Sequence, residues 1–126
     1  MKLIETAKAP LPAGHYSQAV VAQGLIFVSG LLPLIPEQGQ FIPEGIIAQT
    51  EQIFKNLSAI LQAADSDIHN LVSVQIFVSS IELWQDVNAI YKKILGEHKP
   101  ARVVIPCGPL HYGALLEISA VAEKAG

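Results

Sequence analysis

Residues 45–80 read GIIAQTEQIFKNLSAILQAADSDIHNLVSVQIFVSS, and the hydrophobic period changes within them. Ile46, Thr50, Ile53, Phe54, Leu57, Ile60, Leu61 and Ala64 recur at steps of three and four, so they share one face of a helix running from Gly45 to Asp65. LVSVQIFVSS (Leu71–Ser80) is rich in β-branched residues and fits a strand. The alternation then repeats. Ile81–Leu95 places Trp84, Val87, Ile90, Tyr91 and Ile94 on one helical face, with Gly96 at the C-cap and Pro100 barring continuation. ARVVIPC and ALLEISAVA follow as the last two strands.

Upstream, KLIET (Lys2–Thr6) fits a short strand, and Pro10, Pro12 and Gly14 enforce irregular chain after it. SQAVVAQGLIFVSGLLPL reads as a hairpin turning at Gln23-Gly24. IPEQGQFIPEG is a loop by its turn formers Pro36, Gly39 and Pro43. The order β-β-β-α-β-α-β-β predicts an α+β fold, with two helices on one face of a mixed sheet and parallel strands flanking each helix. One domain accounts for all 126 residues. Leu116, Ile118 and Ala120 are apolar on one register of the last strand, and Leu115 and Val121 on the other. Two helices cover one sheet face, so this pattern predicts that a second subunit covers the other. Composition agrees, with 51% hydrophobic and only 15% charged residues.

The net charge is -3 and the basic residues do not cluster, which argues against a nucleic-acid partner. A single cysteine fits a reducing compartment, and no apolar run approaches the roughly 20 residues of a membrane span. A cytoplasmic protein with no membrane partner is the expectation. His15, His69, His98 and His111 are scattered without metal-ligand spacing, so no metal site is expected. Cys107 has no neighbour that would activate its thiol and reads as a small packing residue.

Two charges stand out in strands otherwise suited to burial. Arg102 is the only arginine, and its planar fork suits a carboxylate in bidentate geometry. It serves either to bind a ligand or to pair with an internal glutamate. Glu117 shares a strand face with Leu115, Ser119 and Val121, where it either holds a water as general base or points into solvent. Tyr16, Ser29 and Gly30 lie at strand ends beside loops, and Gly30 leaves room for a ligand to approach the backbone. Asn88, between Trp84 and Tyr91 on the second helix, lies at a pocket edge or on a solvated face.

Taken together, GHYSQAV, FVSG, DVNAIY, PARVV and GALLEISAVA resemble the Rid family of reactive intermediate deaminases, also called YjgF, in order and spacing from about Pro10 to Ala122. The resemblance implies a chorismate-mutase-like (ferredoxin-like) fold and a homotrimer with clefts between subunits. It implies hydrolysis of 2-imino acids, such as those from 2-aminoacrylate, to 2-keto acids and ammonia without metal or organic cofactor. Arg102 matches the arginine that binds the substrate carboxylate, and Glu117 the glutamate associated with the hydrolytic water. Tyr16, Ser29 and Gly30 match pocket-lining positions, and Asn88 a helix position near the cleft, contributed by the neighbouring subunit. The chain departs from the commoner pattern at His15, Leu31, Val103 and the segment GPLHYG. The alternative is a non-catalytic trimer of the same family that binds a small carboxylate for regulation.

Overall fold

The computed structural model describes residues 1–125. Its strands are β1 (Lys2–Ile4), β2 (Ala19–Ala22), β3 (Leu25–Leu31), β4 (Leu71–Val78), β5 (Ala101–Pro106) and β6 (Leu116–Glu123). The helices are α1 (Ile46–Ala63) and α2 (Trp84–Leu95). The hairpin turns where the sequence places it. Gln23 and Gly24 both have positive φ, 54° and 76°, the backbone of a tight turn whose twist matches its strands.

The strands form one sheet in the order β1-β2-β3-β6-β4-β5. β6, the last in sequence, lies between β3 and β4 and runs antiparallel to each. β3 and β4, on either side of α1, are therefore parallel, and β4 and β5 on either side of α2 pair directly in parallel. The strand senses expected from the sequence are thus observed.

α1 buries every residue of its predicted apolar face, Ile46 through Ala64. Ile53, Leu57, Ile60 and Leu61 have no exposed surface, and burial of each such side chain stabilises the fold by about 1.5–3 kcal/mol. α2 differs from expectation at its start. Ile81–Leu83 is a 3-10 turn whose Glu82 N–H is capped by the Ser80 hydroxyl, and the α-helix begins only at Trp84. A hydroxyl that bonds the backbone two residues on favours a tight turn over an α-helical first turn. The two helices meet edge-to-face at Phe54 and Tyr91, with ring centroids 5.7 Å apart.

Ile118, Ala120 and Ala122 of β6 and Val74, Ile76 and Val78 of β4 point to the helices and are buried. The alternate residues, Glu117, Ser119, Val121, Gln75 and Phe77, are only half-buried within a single chain. On this second face Phe27, Val103 and Ile105 are 42%, 44% and 38% exposed. The sheet is thus packed on one side and apolar but uncovered on the other.

Candidate active site

Arg102 sits on β5 opposite Val74, a core residue, so its side chain leaves the sheet on the helix side. There it meets α2. Its guanidinium carbon lies 4.8 Å from the ring centroids of both Trp84 and Tyr91. Its Nη1 donates to Asn88 Oδ1 at 2.9 Å. Trp84, Asn88 and Tyr91 follow one another at four- and three-residue steps, which stacks them along one stripe of the helix. Two aromatic faces and one amide oxygen hold the guanidinium through cation–π attraction and a hydrogen bond. Among the described residues no carboxylate lies within ion-pair distance of Arg102, so the pairing with an internal glutamate does not occur within the chain. Asn88 therefore accompanies Arg102 in the same subunit.

Tyr91 is 7% exposed, and its hydroxyl is buried without a hydrogen-bond partner among the described residues. Burial raises the phenol pKa above its ordinary value of 10.0, and the charge of Arg102 opposes that rise.

Glu117 is opposite Phe77, whereas its neighbour Ile118 is opposite the buried Ile76. Glu117 therefore leaves the sheet on the face away from the helices. Its carboxylate lies against Gly30, in the space that a Cβ at that position would occupy. The β3–β6 register breaks between Val28 and Leu31, so Ser29 and Gly30 form an irregularity in the ladder beside this carboxylate. The Ser29 N–H donates to the Gln18 carbonyl (3.0 Å) and its hydroxyl to the Ser17 carbonyl (2.6 Å). Tyr16, 52% exposed, folds its ring against Gly14. Tyr16, Ser29 and Gly30 together edge a cavity of about 340 Å3.

The six positions singled out from the sequence thus form two groups. Arg102 and Asn88 lie on the helix side, and Glu117, Gly30, Ser29 and Tyr16 lie at the other face and the end of β3. β4 separates β5 from β6, and Arg102 and Glu117 are offset by three residues in register. Strand spacing and rise put their Cα atoms roughly 14 Å apart, on opposite faces. A carboxylate held by Arg102 is therefore out of reach of Glu117 in the same chain. No three His, Cys, Asp or Glu side chains converge as a metal-ligand set among the described residues.

A family model described as Endoribonuclease L-PSP matches residues 6–124. The chain belongs to this family, the Rid family. A Rid relative, the 2-iminobutanoate/2-iminopropanoate deaminase of Rattus norvegicus, is 39% identical over 123 residues, 98% of this chain and 90% of its own. A Lactococcus lactis relative whose name proposes a regulator, AldR, is also 39% identical over 123 residues, 98% of either chain. The crystal structure of RidA from an Antarctic Psychrobacter matches with a TM-score of 0.94 at 32% identity, over 98% of this chain and 99% of that one.

Two features of this candidate site go beyond what the sequence predicts. Trp84 and Tyr91, expected on the inner helix face and beside Asn88 at a pocket edge, also carry the Arg102 guanidinium. Their spacing with Asn88 was the available signal. The room left by Gly30 faces the Glu117 carboxylate, where an approaching ligand was expected. That contact joins residues 87 positions apart and leaves no local trace.

Proposed function

We propose that this Rid protein hydrolyses 2-imino acids, formed from 2-enamino acids by tautomerisation, to 2-keto acids and ammonia. The observation that carries this reading is the state of Arg102. It is the chain's lone arginine, fixed on two aromatic rings, with no carboxylate partner among the described residues. One Nη is taken by Asn88, and the rest of the fork is free for a ligand carboxylate.

The reaction is R–C(=NH)–COO⁻ + H2O → R–CO–COO⁻ + NH3. Arg102 binds the carboxylate and fixes the imine carbon. Glu117 takes a proton from water as its oxygen adds to that carbon and passes it to the imine nitrogen, giving a neutral carbinolamine. Glu117 then carries the carbinolamine hydroxyl proton to the nitrogen, and ammonia leaves as the carbonyl forms. The two groups lie on opposite faces of one chain, so we place the complete site between chains, with Arg102 and Asn88 from one and Glu117, Gly30, Ser29 and Tyr16 from the next. The apolar sheet face bearing Phe27, Val103 and Ile105 supports a homotrimer in which that face is covered. The lone Cys107 fits the reducing cytoplasm.

The test follows 2-keto acid release from 2-aminoacrylate or 2-iminobutanoate generated in situ. Wild-type protein accelerates release. Arg102→Ala lowers kcat/KM by about 100-fold, the scale of one lost charge-assisted contact of about 2.7 kcal/mol. Arg102→Lys restores little, because an ammonium has no fork. Undiminished rates in Arg102→Ala would remove the assignment.

A second reading is a non-catalytic trimer that binds a small carboxylate through the same arginine. It draws on the relative named as a regulator and on the Ser29 hydroxyl, which donates within the protein. Calorimetric binding of a 2-keto acid without turnover of any imine would favour it.

A further inference from the structure

The cavity beside Ser29 and Gly30 is larger and more apolar than a three-carbon imino acid needs. It has a volume of about 340 Å3, and its walls include Leu11, Leu31, Leu34 and Tyr112. A second hollow of about 460 Å3 continues from it, sharing Leu11, Leu34 and Tyr112 and reaching Ile35. Cavities of roughly 300–1,000 Å3 ordinarily take ligands much larger than pyruvate.

The groove is built. Its lining includes Gly30, against which the Glu117 carboxylate lies, so the apolar space adjoins the place where the reading above puts the reacting carbon. One wall, the chain around Pro10 and Leu11, is tied down by Gln18, which is 2% exposed. Gln18 Nε2 donates to the Thr6 carbonyl at 3.0 Å and the Pro10 carbonyl at 2.8 Å, and its Oε1 accepts from the Thr6 N–H at 2.7 Å. Leu34, also in the lining, is fixed by the buried Asn56, whose Nδ2 donates to the Leu34 carbonyl at 2.9 Å. Tyr112 closes the rim with φ of +61°, a backbone state that a bulky side chain adopts at a cost. That cost places a 41% exposed aromatic ring at the junction of the two hollows.

We infer that this groove is the subsite for the substrate's side chain, and that the protein prefers 2-imino acids with branched or aromatic side chains, such as those of leucine and phenylalanine, over 2-iminopropanoate. The inference rests on the imine-hydrolysis reading for the position of the reacting carbon. The side chain departs from the imine carbon, passes Gly30 and displaces water from Leu11, Leu34 and Tyr112. Each added carbon then contributes apolar burial that a methyl group cannot.

The experiment measures kcat/KM for 2-imino-4-methylpentanoate and 2-iminopropanoate, each generated in situ, on the wild type, Leu11→Asp and Tyr112→Gly. Leu11 is 61% exposed, and glycine relieves the positive φ at 112, so neither variant threatens folding. The wild-type ratio is expected to favour the branched substrate by about tenfold or more. Each variant should lower that ratio at least threefold. A wild-type ratio near one, or a ratio that neither variant moves, overturns the inference. Calorimetry with the keto acids 4-methyl-2-oxopentanoate and pyruvate separates this outcome from failure of the catalytic reading. Tighter binding of the branched acid that weakens in both variants upholds the groove even where no imine is turned over. Equal binding of the two acids overturns it even where hydrolysis is confirmed.

Discussion

Gly30 separates folding from chemistry at a single atom. A Cβ there would meet the Glu117 carboxylate, the mobile end of a flexible side chain, which can swing away at small energetic cost. Gly30→Ala should therefore fold with a stability change of under about 1 kcal/mol, since Gly30 is exposed and the strand backbone tolerates alanine. The deamination proposed above should nevertheless fall by about 100-fold, because in that mechanism a displaced carboxylate no longer positions the water. Thermal melts beside keto-acid assays check both halves, and full activity in a folded Gly30→Ala protein would remove Glu117 from the mechanism. Tyr91 gives the converse case. Its ring supports Arg102, whereas its buried hydroxyl has no partner among the described residues. Tyr91→Phe keeps the ring and removes the unpaired hydroxyl, so stability should rise by about 1 kcal/mol in denaturant unfolding. The sign of the pH dependence follows from the raised phenol pKa. The native state holds this proton more tightly than the unfolded chain does. Its contribution is full below the ordinary value of 10.0 and declines as pH rises through the native pKa. The alkaline loss of stability should be shallower in Tyr91→Phe.

At the scale of elements, what the sequence revealed tracks the distance over which each feature is encoded. The α1 face from Ile46 to Ala64 and the Gln23-Gly24 turn are written in residues a few positions apart, and both appear where the periodicity and turn chemistry place them. The first turn of Ile81–Leu95 deviates because Ser80 caps Glu82 N–H in a tight turn, a choice between two local hydrogen-bond patterns that periodicity does not register. Strand order is different in kind. The insertion of β6 between β3 and β4 depends on pairing across nearly the whole chain, so composition predicted a mixed sheet without saying which strands touch. That insertion sets the geometry of the candidate site. It makes β4 the spacer between Arg102 and Glu117, and it brings Glu117 beside the irregularity at Ser29–Gly30. The residues of the candidate site were picked from the chain, but their division into two groups was not, because that division belongs to sheet topology.

The two groups on opposite faces have a consequence that only the assembled molecule can express. In the proposed mechanism Arg102→Ala removes the carboxylate anchor and Glu117→Gln the base, so each protein alone should be nearly inactive. If one site takes Arg102 from one subunit and Glu117 from the next, unfolding and refolding the two variants together at equal concentration will restore function. A site in a closed ring is intact when the first subunit carries a wild-type Arg102 and its neighbour a wild-type Glu117, which random assembly supplies in about a quarter of sites. Activity of about one quarter of wild type is therefore expected after co-refolding, and none after mixing the intact variants without exchange. Val103→Asp on the uncovered sheet face provides the matching control. Val103 is 44% exposed in the single chain, so a charge there leaves the monomer folded but opposes burial against a second copy. Sedimentation should show that variant dissociated, with its activity lost even though both Arg102 and Glu117 are present. Co-refolded variants that stay inactive, or an active Val103→Asp monomer, would place the whole site within one chain, against the separation that the sheet imposes.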